Sequence, residues 1–239
     1  MKISVCIPMY NESRIIENTA RTLSKYLGDH FGENEFEIIF SDDGSLDKSA
    51  DIVRALALPG VRVIGYDNNK GKGCAVRAAM LEAKGDIVMF TDADLAYGEQ
   101  VIERGVAMLE ANSSAEMLIG SRNMSRDGYE EYSLLRKAAS KAYIKVLSIV
   151  GGFKLSDSQC GFKMFRREAA QRIFSRCEVD SFAFDFEVIL WAEKLGMSIV
   201  EMPVKVLNKG DSKVRMIRDA ARMLSDLLKI KKRVKKSKI

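Results

Sequence analysis

The sequence predicts an α/β fold on a mostly parallel, doubly wound sheet, and three observations carry that expectation. Short apolar runs alternate with longer stretches of helical periodicity, the pattern of successive βαβ units. Clusters of acidic and polar residues follow the apolar runs, where an open parallel sheet binds ligands at its carboxyl edge. At 239 residues, 47% hydrophobic and 30% charged, the chain can bury one full core, which excludes fibrous and disordered classes.

The elements follow in order. Met1 to Pro8 reads as a strand near 2–7 with no signal-peptide cleavage pattern. A helix is expected near 12–27, with Asn11 suited to cap it because its side-chain oxygen can accept a free backbone N–H. The strand near 36–41 ends at Asp42-Asp43-Gly44-Ser45, where Gly44 permits a tight turn and Ser45 can cap a helix near 46–57. A strand near 61–65 leads to Asn69-Lys70-Gly71-Lys72-Gly73 and an Ala-rich helix near 72–84. The run Gly85 to Thr91 gives a strand near 86–91, followed by a helix near 99–111 and a strand near 116–120 that ends at Gly120-Ser121-Arg122.

Beyond Arg122 the pattern changes. A helical segment near 133–150 stops at Gly151-Gly152, and a polar loop spans Ser156 to Gly161. Helices near 167–175 and 185–195 precede a strand at 198–203. With no internal repeat or low-complexity linker, this half is expected to pack on the first as part of one domain.

Charge is uneven: from Lys205 onward there are 13 Lys and Arg against 3 Asp, a net of +10, while residues 1–204 carry −5. The basic end has helical periodicity, with Met216, Ile217, Ala220, Met223, Leu224, Leu227 and Leu228 on one face. Such an end suits either an anionic membrane surface or packing followed by a solvated tail. Its lysines lack interleaved aromatics, so no nucleic-acid partner is expected. The apolar runs fall short of the roughly 20 residues a spanning helix needs, so a cytoplasmic protein, soluble or peripheral on a membrane, is expected. Cys6, Cys74, Cys160 and Cys177 lack metal-site spacing and read as reduced thiols, and the single His30 disfavours zinc or Ser-His chemistry.

The most informative motif is Asp92-Ala93-Asp94 at the end of the fourth apolar run. Two carboxylates there offer hard oxygen ligands to Mg²⁺ or Mn²⁺ and leave positions for water and phosphate oxygens. Asp42 or Asp43 can accept hydrogen bonds from a base edge or ribose hydroxyls. Residues 69–73 place cations and backbone N–H groups at a helix start, where phosphate is favoured, but they lack the spacing of a P-loop. Arg122 suits bidentate pairing with a diphosphate, and Arg77 lies one turn into the Gly-rich helix, toward ligand or solvent.

Five segments, Pro8-Met9-Tyr10-Asn11-Glu12, Asp42-Asp43-Gly44-Ser45-Leu46-Asp47, Asn69-x-Gly71-Lys72-Gly73-x-Ala75-x-Arg77, Asp92-Ala93-Asp94 and Gly120-Ser121-Arg122, together resemble the family 2 glycosyltransferases of GT-A fold. Ser156 to Phe165, Phe182 to Glu187 and Gly210 to Lys213 narrow the resemblance to the polyprenyl-phosphate branch, dolichyl-phosphate glucosyltransferases first and mannose synthases next. The resemblance implies a GT-A domain over 1–212, a nucleotide-sugar half at 1–122 and an acceptor half at 123–212, followed by a basic amphipathic helix at 213–239. It implies that Pro8, Tyr10, Glu12 and Asp43 hold the nucleoside, that Lys72 lies near the donor, and that Asp92 and Asp94 hold the metal and diphosphate. Arg122, Ser212 and Lys213 would contact phosphates. Asp157 and Gln159 would shape the acceptor mouth, and Asp185 with Glu187 would line the sugar pocket. On a helix Asp185 and Glu187 lie about 200° apart, and Phe182, Phe184 and Phe186 read as core.

The implied reaction is inverting transfer of a hexose from UDP-glucose, or alternatively GDP-mannose, to a polyprenyl or dolichyl phosphate. No base is needed, because a phosphate monoester with a second pKa near about 6 is already largely dianionic. A hydroxyl acceptor would instead need Asp157, Asp185 or Glu187 as base. A nucleotidyltransferase is disfavoured because Pro8 to Glu12 stands where a Gly-rich signature would be. An inactive module tethered to lipid or nucleic acid is the weaker rival.

Overall fold

The computed structural model describes residues 1–32, 34–125, 146–147, 149–207 and 216–238, without the side chains of 216–222. Seven strands, β1 (Ile3–Met9), β2 (Phe36–Asp42), β3 (Val61–Gly65), β4 (Ile87–Phe90), β5 (Met117–Ser121), β6 (Lys163–Arg166) and β7 (Ile199–Pro203), form one sheet in the order β3-β2-β1-β4-β6-β5-β7. Only β6 runs against the others, between β4 and β5. The remaining pairings are parallel, so six carboxyl ends share one rim. Strand order reverses between β1 and β4, and a ligand crevice belongs at such a switch point.

The helices are α1 (Ile16–Phe31), α2 (Ser49–Ala55), α3 (Lys72–Glu82), α4 (Gln100–Ala111), α5 (Arg167–Phe174), α6 (Phe184–Lys194) and α7 (Met216–Lys236). All seven positions of β1 are buried, as expected of a parallel strand covered on both faces. From α1, Ile16, Thr19, Ala20, Leu23 and Leu27 face the core; Leu23 and Leu27 are each 0% exposed and contribute about 1.5–3 kcal/mol apiece on burial. The start of α3 packs more closely than larger residues would allow. A Cβ on Gly73 would collide with the Val179 carbonyl and the Phe184 side chain.

Three sequence expectations change. The strand β6 adds an element where the sequence pattern assigns none, between the polar loop ending at Gly161 and the helix near 167; its Lys163 side chain is fully buried. Phe182, expected in the core, is 49% exposed, whereas Phe184 and Phe186 are buried. Leu228, expected on the apolar face of the basic helix, is 55% exposed, and Leu227, Ile230 and Val234 form the buried stripe where α7 packs on α6. Most of the helix expected near 133–150 lies outside the described residues. The four cysteines are buried free thiols, and no helix among the described residues is long and apolar enough to cross a membrane.

Candidate active site

The loops at the carboxyl rim hold one another through single carboxylates, each gathering several donors. After β1, Asn11 adopts φ 54°. Its side chain does not cap a helix as expected; its Oδ1 accepts the Leu46 N–H at 2.8 Å, while its own N–H donates to Ser45 Oγ at 3.0 Å. The N–H groups of Glu12 and Ser13 donate to Ser49 Oγ and Asp47 Oδ2, so α1 starts only at Ile16. Ser45 likewise does not cap α2; Asp47 takes the Ser49 N–H at 2.9 Å, and Ser45 hydrogen-bonds Asp42.

Asp43, 4% exposed, is the centre of the second clamp. It accepts Tyr66 Oη at 2.7 Å, Asn69 Nδ2 at 2.8 Å, and the N–H groups of Lys70 and Gly71 at 2.9–3.0 Å. Gly44, at φ 68°, lets this turn lie against the Asn68–Asn69 backbone, which a Cβ would strike. The expected anion cradle at the start of α3 is therefore largely committed elsewhere. Lys70 and Gly71 donate to Asp43, and the Gly73 N–H donates to the Asp180 carbonyl at 2.8 Å. Arg77 points neither to the rim nor to free solvent but pairs with Asp180 at 2.7 Å. Of this segment's cations, Lys72 is the one that meets the Asp92–Asp94 turn.

Lys72 Nζ pairs with Asp92 Oδ1. Burial works against its charge, but Asp92, Asp185 and Asp94 together raise its pKa above the usual lysine value. The 92–94 turn is held from behind by Thr19, whose hydroxyl donates to the Ala93 carbonyl at 2.6 Å. Leu95 completes the turn at φ 47°, and Gly161 makes room for the Asp92 carboxylate, which a Cβ there would strike. Burial, then the charges of Asp92 and Glu12, raise the Asp94 pKa, against the pull of Lys72 and of the Ala96 N–H. Among the described residues no three or more His, Cys, Asp or Glu converge as a preformed ion cage. The donor set nevertheless fits a divalent cation: two hard carboxylates on one turn, Asp92 being 35% exposed, and an excess of negative charge that already draws in an ammonium group.

The acceptor side is built differently, from ion pairs between distant segments. Arg122, just past β5, donates from Nε and Nη2 to the two oxygens of Asp157 at 2.7 and 2.9 Å. Asp157 is 0% exposed and so is a buried counter-ion, not an accessible base. Burial works against the Arg122 charge, but the charge and hydrogen bonds of Asp157, with Tyr97 and Cys160, together raise its pKa well above the usual value. Glu201 of β7 anchors the same loop by accepting the Ser156 N–H at 2.8 Å and the Ser156 hydroxyl at 2.6 Å. Gln159, expected at the acceptor mouth, reaches Met223 of α7 at 3.8 Å.

Asp185 and Glu187 separate, as their spacing on α6 requires. Asp185 pairs with the buried Lys163 Nζ, which also donates to the Cys160 carbonyl at 2.7 Å. Burial raises its pKa even against Lys163 and Lys72. Glu187 does not line the pocket with it. It accepts the N–H groups of Glu178 and Val179 at 2.9 and 2.8 Å and pairs with Arg233 of α7. Pro8 is the penultimate residue of β1, Tyr10 and Glu12 follow the strand at the carboxyl rim, and Ser212 and Lys213 lie outside the described residues. Thr19, Lys163 and Glu201 went unrecognised in the sequence. Only the last two gave a signal, as charged residues inside short apolar strands.

The family model for glycosyl transferase family 2 matches residues 4–174. The glycosyltransferase AglD of Haloferax volcanii is 33% identical over 231 residues, covering 96% of this chain and 37% of its own length. Dolichyl-phosphate beta-glucosyltransferase ALG5C of Trichomonas vaginalis is 34% identical, covering 94% of this chain and 69% of its own length. The human dolichyl-phosphate beta-glucosyltransferase is 28% identical across 97% of this chain and 75% of its own length. Among solved structures, glucosyl-3-phosphoglycerate synthase from Mycobacterium tuberculosis in complex with UDP superposes with a TM-score of 0.70 at 19% identity, covering 98% of this chain and 79% of that one. The same enzyme is also known with Mn²⁺ and UDP-glucose.

Proposed function

We propose, from the premise that this chain belongs to glycosyl transferase family 2, that it transfers glucose from UDP-glucose to a dolichyl or related polyprenyl phosphate at the cytoplasmic face of a membrane. One observation carries the choice of acceptor. The three carboxylates that could serve as a base are each spent on a cation: Asp157 on Arg122, Asp185 on Lys163 and Glu187 on Arg233. A sugar hydroxyl needs a positioned base, whereas a lipid phosphate brings its own nucleophilic oxygen, dianionic above a pKa of about 6. The dolichyl-phosphate beta-glucosyltransferases that match over more than nine-tenths of this chain support glucose over mannose.

Pro8, Tyr10 and Glu12, with the turn that Asp43 braces, form the nucleoside side of the crevice. Asp92 and Asp94 hold Mg²⁺ or Mn²⁺, and the bound ion supplies Lewis-acid neutralisation of the departing diphosphate. Lys72 and Arg122 add positive charge beside that leaving group. Asp157 keeps the Arg122 guanidinium in one orientation, and Ser212 and Lys213 add contacts to phosphate. The lipid oxygen attacks the anomeric carbon directly, which inverts it. On α7 the exposed Lys229, Lys232, Lys235 and Lys236 form a stripe opposite the buried Leu227, Ile230 and Val234. That stripe suits anionic headgroups, at about 1 kcal/mol for each lysine near the surface.

Incubation with radiolabelled UDP-glucose or GDP-mannose, a short polyprenyl phosphate and Mg²⁺ or Mn²⁺ tests the reading. Label is expected in the lipid from UDP-glucose only. Transfer from GDP-mannose at an equal or higher rate would overturn the donor assignment.

A further inference from the structure

Lys72 stands at the meeting point of two acids from opposite sides of the crevice. It pairs with Asp92 Oδ1 and is 21% exposed. The starts of α3 and α6 touch here, since a Cβ on Gly73 would stand 2.8 Å from Phe184 Cβ, and this contact brings Asp185 across from the acceptor half; after burial and Asp92, Asp185 acts most strongly on the Lys72 charge. Asp185 cannot follow Lys72, because Lys163 holds it. Lys163 is 0% exposed, donates to the Cys160 carbonyl at 2.7 Å and sits 5.4 Å over the Phe90 ring at the end of β4. Lysine has four rotatable carbons and a point charge, so Lys72 can exchange partners while Asp185 remains fixed.

We infer that Lys72 is a resident counter-cation for Asp92 that a divalent cation must displace, and that Asp185, fixed by Lys163, is the carboxylate that receives the displaced ammonium. This inference rests on the assignment of Asp92 and Asp94 as metal ligands. Without a cation, Lys72 neutralises Asp92 and keeps the acidic turn from repelling an incoming diphosphate. Once a cation takes Asp92, Lys72 moves toward Asp185, still within the site and available to the diphosphate. Asp185 and Lys163 are then positioning residues acting through Lys72, and cation binding is tied to the placement of a phosphate-binding charge.

The test is Mn²⁺ titration of the ligand-free protein by electron paramagnetic resonance, with no sugar nucleotide present. D92N must first lose the bound ion; retention there would remove the metal assignment itself, independently of the role of Lys72. With that established, K72M is expected to bind Mn²⁺ at least about threefold more tightly than wild type, while K72R, which keeps a cation, shows no gain. A double-mutant cycle then separates partner exchange from general electrostatics. D185N is expected to weaken Mn²⁺ binding severalfold in the wild-type background and to have little effect in K72M. Unchanged or weaker binding by K72M, or an equal D185N effect in both backgrounds, overturns the inference. If D185N does not fold, D185S takes its place in the cycle, and the K72M and K72R pair still decides the displacement of Lys72.

Discussion

The two halves of the crevice are fastened in opposite ways. On the donor side, one carboxylate gathers many uncharged donors: Asp43 alone holds Tyr66, Asn69, Lys70 and Gly71, all within 28 residues of it. On the acceptor side, full charges pair one to one, 22 residues apart for Lys163 with Asp185, 35 for Arg122 with Asp157 and 46 for Arg233 with Glu187. The first arrangement leaves the local charges for a ligand. The second neutralises each acid inside the protein and leaves the acceptor to supply the reactive charge. The difference explains how one rim can bind an anionic donor and still accept an anionic nucleophile.

The sharpest way to break the comparison is to remove acids from each side. D92A/D94A is expected to lower hexose transfer by about a thousandfold or more, the scale of losing electrostatic stabilisation of a leaving group, while the circular dichroism spectrum stays that of the folded protein. D157N strands Arg122 beside a fully buried neutral partner and is expected to cost about 3 kcal/mol in urea unfolding, the low end for a broken buried pair. Activity should fall with it. D43N, which weakens charge-assisted bonds to one loop, is expected to cost about 2 kcal/mol and to raise KM for the sugar nucleotide more than it lowers kcat.

D94N runs the other way. Burial, Asp92 and Glu12 raise the Asp94 pKa, so ionised Asp94 disfavours the folded state. Its penalty is absent below the unfolded pKa and develops as pH rises through the folded one. D94N is therefore expected to raise the Tm of the ligand-free protein at pH 7, and that gain should disappear at acid pH although cation binding is lost throughout. The smallest expected effect belongs to K229Q/K232Q/K236Q. Exposed lysines change stability by less than about 0.5 kcal/mol, yet binding to anionic liposomes should weaken and lose its salt sensitivity.

The same contrast governs what the sequence reveals. The donor half follows apolar period and turn chemistry, so its strands, its helices and the Asp92–Asp94 turn were all legible from local pattern. Even there, side-chain partners were not: Asn11 and Ser45 look like helix caps, and only the fold shows that they bind each other's loops. The acceptor half hides because β6 is four residues long and contains a buried lysine that becomes tolerable through Asp185, 22 residues later, and the Cys160 carbonyl. The spacing of Asp185 and Glu187 did foretell that they diverge, but not that Glu187 would fasten α7 through Arg233. Periodicity likewise marked the basic helix as amphipathic without showing that the protein itself covers Leu227, Ile230 and Val234.

The central claim is that the acceptor must carry its own charge. A direct comparison supplies the purified protein with UDP-glucose and either a polyprenyl phosphate or the matching dephosphorylated polyprenol, under identical detergent and Mn²⁺. Glucose is expected on the phosphate alone, at a rate that rises through a pH of about 6 as the monoester becomes dianionic. Glucose appearing on the polyprenol at a comparable rate would contradict the account.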